Sequence, residues 1–244
     1  MDTIIASSRR CLLLLLAVAL GCSSGELLLP EPPDGGENVQ LSKAPVANGD
    51  KQEGTVGEQL PEPVVVQVRS PRDQPVAGRR VAFAITSSTG EVTPDTAITD
   101  GQGRAIARWV LGTAPGAYVM QARLVSGPDD TQVEEFTAFA RPAPPDTLSP
   151  SSVRSQPGRR GQKAATSPVV RVVDRFGNAV PDVPVVWQVT AGEGQTSAPI
   201  TRTATDGTAT VEWTLGERIG VHKLTASIEQ ATGSPATFTA TVLF

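Results

Sequence analysis

Few residues in this chain are equipped for bond-breaking chemistry, and each has a plainer role in view. His222 is the only histidine. As a general base it would need a nucleophile and an orienting carboxylate within hydrogen-bond reach. The one G-x-S-x-G string, at 21–25, closes the apolar leader and is no elbow between a strand and a helix, so His222 reads as a strand residue. Asp174, Asn178 and Asp182 could gather oxygens around Ca²⁺, but their spacing is not that of an EF-hand loop, and they read as turn formers. Asp100-Gly101 and Asp206-Gly207 read as turns ahead of strands. Arg154, Arg159, Arg160 and Lys163 form a basic stretch suited to lipid head groups or an acidic glycan, or to neutralising acidic residues of the preceding domain. No catalytic residue, cofactor site or metal site is assigned. The net charge of −4 argues against nucleic acid as the main partner, because phosphate binding wants a basic face.

The one covalent event that the residues specify is at Cys22. Arg9 and Arg10 precede a ten-residue apolar run, Cys11 to Leu20. That is short for a final membrane anchor and has the length of a signal-peptide core. The run leads into Val18-Ala19-Leu20-Gly21-Cys22, which resembles the signal of bacterial lipoproteins. Ala19 and Gly21 fit that pattern, and Leu20 is a less usual occupant of its place. The resemblance implies cleavage between Gly21 and Cys22 and acylation of Cys22, with several acyl chains holding the protein on a bilayer. Two other readings stand beside it. One is an ordinary secretory peptide with a chance cysteine. The other is a twin-arginine signal at Ser8-Arg9-Arg10, against which the leucine-rich run argues. Ser23, being no aspartate, resembles the default for outer-membrane sorting in Gram-negative lipoproteins. The expected location is the cell envelope, at the outer membrane. Cys11 would leave with the leader and Cys22 would carry lipid, so no disulfide is expected although the compartment is oxidising. After Cys22, prolines, glycines and acidic residues dominate as far as Glu37. This reads as a flexible stalk with a reach of about 25 Å.

The elements that carry all these residues come in two copies. Displaced by 104 positions, W-V-L-G (109–112) falls on W-T-L-G (213–216), Gly57 on Gly161, Val81 on Val185, Phe83 on Trp187, and Thr99 on Thr203. Tyr118 falls on His222, so the fold has no need of an imidazole there. Each copy is long enough to hold its own core. Ala209, Val211, Trp213 and Leu215 alternate with polar residues, as do Leu224, Ala226 and Ile228, and then Phe238, Ala240 and Val242. In the first copy Val81, Phe83 and Ile85, then Ala105, Ala107, Trp109 and Leu111, do the same. Period-two alternation marks half-buried antiparallel strands, and their recurrence about every ten residues is sandwich spacing. One buried tryptophan is expected at the centre of each core. Gly112 and Gly216 are expected to end their strands at a bend.

V-V-R-V-V-D-R-F-G-N-A-V-P-D-V-P-V-V-W-Q-V (169–189) and D-G-T-A-T-V-E-W-T-L-G (206–216) resemble the bacterial immunoglobulin-like domain of the invasin and intimin type. In the first copy 49–68 and 99–112 look the same. That copy departs from the pattern at Ser70–Gln74, where the second has Asp174-Arg175-Phe176-Gly177-Asn178, so this turn is expected to differ in detail. The expected fold is all-β: two tandem immunoglobulin-like sandwiches without disulfides, after a signal peptide (1–21) and a disordered tether (22–40). Domain one takes 41–142 and domain two 143–244. The proline-rich junction R-P-A-P-P-D-T (141–147) predicts a stiff end-to-end rod of about 70–80 Å. The resemblance implies no enzymatic chemistry. It implies adhesion or interaction at the cell surface, with a surface protein or glycan partner, or a ligand-free spacer in the envelope. Phe176 is the one aromatic that such a loop-borne site offers. The membrane would be met through the N-terminal lipid.

Overall fold

The computed structural model describes residues 38–86, 89–125 and 131–243. Gly21, Cys22, the leader and the tether through residue 37 lie outside them. Both cysteines do too, so no disulfide links described residues. The described residues form strands and turns, and no helix among them is long and apolar enough to cross a membrane.

Two cores form along the chain. The first gathers residues from Val39 to Ala143 and the second residues from Leu148 to Val242. In domain one, β1 (Gln40–Lys43), β3 (Val64–Arg69), β5 (Gly90–Thr93) and β7 (Arg104–Leu111) make a four-stranded sheet in the order β1-β3-β7-β5. Facing it are β2 (Gln52–Thr55), β4 (Arg80–Ile85), β6 (Thr96–Ile98), β8 (Gly116–Val125) and β9 (Val133–Arg141), in the order β2-β9-β8-β4-β6. Domain two repeats the plan. Strands β10 (Pro145–Pro150), β12 (Val169–Asp174) and β16 (Thr208–Thr210) form one sheet, with β14 (Gln195–Thr196) and β17 (Trp213–Thr214) as a separate pair. Strands β11 (Ser155–Gly158), β13 (Pro184–Ala191), β15 (Ile200–Arg202), β18 (Gly220–Ser227) and β19 (Ala236–Val242) form the other, in the order β11-β19-β18-β13-β15.

The alternation read from sequence is the alternation of burial. Ala105, Ala107, Trp109 and Leu111 point inward, as do Ala209, Val211, Trp213 and Leu215. The strand is continuous as β7 but is interrupted at Val211-Glu212 in domain two, between its pairing with β12 and its pairing with β14. The hydrogen bonding also recurs at the same displacement. Thr99 Oγ1 donates to the Val76 carbonyl and accepts from the Arg79 amide. Thr203 Oγ1 does the same with Val180 and Val183. The Gln52 side-chain amide brackets Glu62, and that of Gln156 brackets Thr166. These bonds satisfy backbone groups that leave the sheet ladder, which burial would otherwise penalise.

One expectation needs correction, and two are made more definite. Domain two buries two tryptophans, because Trp187 joins Trp213 in the core. The extra indole is accommodated by donating its Nε1–H to Thr201 Oγ1 at 2.8 Å, where the first copy has Ala97. Its ring leans on Phe238, with centroids 6.3 Å apart. Gly112 and Gly216 do close their strands just before bends at 113–114 and 217–219, without a left-handed backbone. They are also sites of close approach. A Cβ on Gly112 would lie 2.5 Å from the Thr89 carbonyl oxygen, and one on Gly216 would lie 2.0 Å from that of Gly192. Finally, the Ser70–Gln74 turn keeps the backbone of the Asp174–Asn178 turn. Ser70 N donates to the Gln74 carbonyl and Asp73 N to that of Ser70, just as Asp174 N donates to Asn178 and Gly177 N to Asp174. Asp73 takes the positive φ (61°) that Gly177 takes (84°), a conformation Asp tolerates better than most residues.

Candidate functional site

The chain runs from β9 to β10 through only Pro142, Ala143 and Pro144. Domain two meets this short connection with its Asp174–Asn178 turn. β10 brings Pro145 into register with Asp174 at the end of β12. The Asp174 carboxylate is 2% exposed and accepts four hydrogen bonds. The amides of Phe176 and Asn178 donate to Oδ1, each at 2.9 Å. The Asn178 side chain and the amide of Ala143 donate to Oδ2, at 2.9 and 3.0 Å. Burial raises the pKa of this carboxyl, but the bonds from Asn178, Ala143 and Phe176 outweigh it, and the net shift is downward. Asp174 therefore fixes its own turn and ties it to Ala143, which is buried in the core of domain one.

The same turn reaches further into domain one. Asn178 Nδ2 donates to the Thr113 carbonyl at 2.8 Å. The Phe176 ring lies over Gly57, so close that a Cβ there would come within 2.7 Å of Cζ. Arg175 stands 4.7 Å from the centroid of that ring, within cation–π range. Phe176, expected as an aromatic offered by a free loop, is therefore a junction residue, 38% exposed and packed on the neighbouring domain. Sequence reading missed this because the contact spans two domains and Gly57 carries no side chain to announce it. The available signal was the D-R-F-G-N motif itself, present only in the copy that has a described domain before it.

Asp174 and Asn178 are thus brought together, whereas Asp182 stands apart and pairs with Arg202 at 3.1 Å. Among the described residues no three His, Cys, Asp or Glu side chains are grouped to hold a metal ion.

His222 is 1% exposed. Its Nε2 bonds the Arg218 carbonyl at 2.8 Å, and its Nδ1 accepts from the Gly216 amide at 3.3 Å. That pattern requires the neutral ring with its proton on Nε2. Tyr118 does the corresponding work in domain one, its hydroxyl donating to the Ala114 carbonyl, also four residues back, at 2.7 Å. What the position needs is a polar ring that satisfies a turn carbonyl, and two residue types meet that need. His222→Leu is expected to destabilise domain two by about 2–3 kcal/mol, since a buried amide and a carbonyl lose their partner. His222→Tyr should cost clearly less. Calorimetric melting of both variants checks the order, and equal losses would assign the position to packing alone.

The basic stretch lies at the opposite end of domain two from the junction. β11 runs parallel to β19, with Gly158 beside Val242, and Val242 is in turn beside Gly220. The acidic partner of this stretch lies in its own domain, because Lys163 pairs with Glu212 at 2.7 Å. It does not neutralise domain one across the junction. Arg159 and Arg160 are exposed and make no ion pair with a described residue.

Residues 161–241 match the family model described as Bacterial Ig-like domain (group 1). No curated protein sequence matches the chain. Among solved structures, the Escherichia coli adhesin FdeC is similar at a TM-score of 0.50 and 16% identity, over 83% of this chain and 63% of that one. The Yersinia pseudotuberculosis adhesin InvE is 23% identical over 84% of this chain and 58% of its own, at a TM-score of 0.36. The D0–D1 domain of intimin is 18% identical over 80% of this chain and 96% of its own, at a TM-score of 0.31. The chain thus spans about six-tenths of the described lengths of InvE and FdeC. It carries two tandem immunoglobulin-like domains, a fold shared with the Escherichia coli adhesin FdeC, and the second matches the bacterial Ig-like family model along residues 161–241.

Proposed function

We propose that this is a lipid-anchored cell-envelope protein of the outer membrane whose two immunoglobulin-like modules act in adhesion or interaction at the cell surface, without enzymatic chemistry. The observation that carries this reading is the clasped junction. Asp174, Phe176 and Asn178 hold domain two on domain one through a three-residue connection, so the far end of domain two is presented in a set direction. The lipoprotein-like leader supports Cys22 as the point of attachment, with Gly21 on the other side of the cut. The fold shared with an Escherichia coli adhesin fits presentation at a surface. A protein or glycan would be met by end loops, the usual binding region of a sandwich.

The test has two arms. Metabolic labelling with an alkyne fatty acid should mark the full chain and fail to mark Cys22→Ala. Protease added to intact cells should cleave domain two, as it does in lysed cells. Cleavage only after lysis would overturn the surface role and leave a ligand-free envelope spacer. Labelling of the Cys22→Ala variant would overturn the anchor.

A further inference from the structure

The far end of domain two carries a second kind of site. Pro157, Arg159, Arg160, Gln162, Lys163, Thr241 and Leu243 line a cleft of about 800 Å³. Two observations show that these cations are no requirement of the fold. First, domain one has Thr55, Val56, Glu58 and Gln59 where domain two has Arg159, Arg160, Gln162 and Lys163, and both domains keep the same parallel pairing beside them. Second, the face has changed its use. In domain one the matching glycine, Gly57, lies under Phe176 and the matching loop residue, Thr113, accepts Asn178. In domain two the place over Gly161 is taken by the domain's own Glu217, whose Oε1 would lie 2.4 Å from a Cβ there. The face that receives a neighbouring domain in the first copy is filled over its glycine by Glu217 in the second and is lined there by Arg159, Arg160 and Lys163.

We propose that this cleft binds an acidic glycan, one whose sugar units bear carboxylate or sulfate groups. Arg159 and Arg160, which pair with no acidic side chain among the described residues, offer planar forks matched to such oxyanions. Lys163 adds charge partly offset by Glu212. Gln162 and the Thr241 hydroxyl suit sugar hydroxyls, and Pro157 and Leu243 give an apolar wall. The cleft is concave and sized for small-molecule units, which favours a saccharide over a flat bilayer. This deepens the surface-interaction reading above by naming a ligand class.

The experiment uses the full chain purified in detergent micelles, where binding does not depend on which side of the membrane the protein occupies. A cell-access result that overturns the surface role therefore leaves this measurement intact. The probes are a heparin-derived hexasaccharide, the same hexasaccharide desulfated and N-acetylated, inorganic sulfate, and vesicles containing phosphatidylglycerol. Calorimetric titration should show binding of the sulfated hexasaccharide that weakens as salt rises. Arg159→Ala/Arg160→Ala should weaken it at least about tenfold without shifting the melting of domain two. Arg108→Ala/Arg123→Ala, removing equal charge from domain one, should leave it unchanged. The proposal is overturned if the hexasaccharide fails to bind, if the two double variants weaken it equally, if the desulfated sugar binds as well, or if vesicles bind through Arg159 and Arg160 in its place.

Discussion

Gly216→Ala is expected to lower the stability of domain two by about 3 kcal/mol or more while domain one keeps its melting transition. The new methyl would sit 2.0 Å from the Gly192 carbonyl oxygen and 2.9 Å from that of Glu193. Both are backbone atoms, so no side-chain rotation relieves the contact. Gly192 cannot yield either. It holds φ at 94°, and a Cβ on it would lie 2.2 Å from the His222 ring. Overpacking of this kind costs roughly 1–3 kcal/mol even where neighbours relax, and here the neighbour is the backbone of the Gly192-Glu193 bend that joins β13 to β14. Opening it would also disturb the Gly216 amide that donates to His222. Differential scanning calorimetry of the full chain reads the result, since each domain has its own core. A loss below about 0.5 kcal/mol, the range of neutral surface changes, would refute the close-approach role.

Asp174→Ala should be nearly as costly, at about 3–4 kcal/mol, and should also loosen the junction. The substitution strands the buried Ala143 amide and the half-buried amides of Phe176 and Asn178 and leaves the Asn178 side chain only its bond to Thr113, and an orphaned buried donor costs about 1–3 kcal/mol before relaxation. The pH dependence has a definite sign. The carboxyl titrates lower in the folded protein than in the unfolded chain, where an aspartate titrates near about 3.9. Its contribution is therefore fully present above that value and is lost as the pH falls through the lower, folded one. Spin labels on Arg108→Cys and Lys223→Cys would report the junction. Their distance distribution should be narrow at neutral pH, broader in acid, and broad at every pH in Asp174→Ala. A distribution unchanged by the substitution would show that the domains are aligned by the proline-rich connection alone.

Much of the fold was legible because the chain states it twice. The 104-residue displacement and the alternating rows around Trp109 and Trp213 give strands, faces and core membership without reference to any partner. Towards the end the displacement slips. Met120 faces Phe136 where Leu224 faces Phe238, a two-residue difference carried by the connection between the last two strands. The site was less legible. The close approach at Gly112 and Gly216 left no sign in sequence, because the backbone pressed against them arrives from a segment about twenty residues earlier. Phe176 looks exposed because its cover is a glycine in the other domain. Asp174 reads correctly as a turn former, but its fourth donor, the Ala143 amide, belongs to the connection and leaves no local pattern. Contacts within a strand period can be counted along the chain, whereas contacts between backbone and glycine, or between domains, have no periodicity to reveal them.

The pairing of the second strand with the last in each domain carries a mechanical consequence. In domain one β2 lies parallel to β9, and in domain two β11 lies parallel to β19, each through four register positions. Pulling a sandwich from its two ends draws such strands past one another along their length. Their hydrogen bonds then share the load and must rupture together, whereas in an antiparallel hairpin pulled from its open end they would peel one at a time. Each domain is thereby built to resist stretching along the direction in which the chain enters and leaves it.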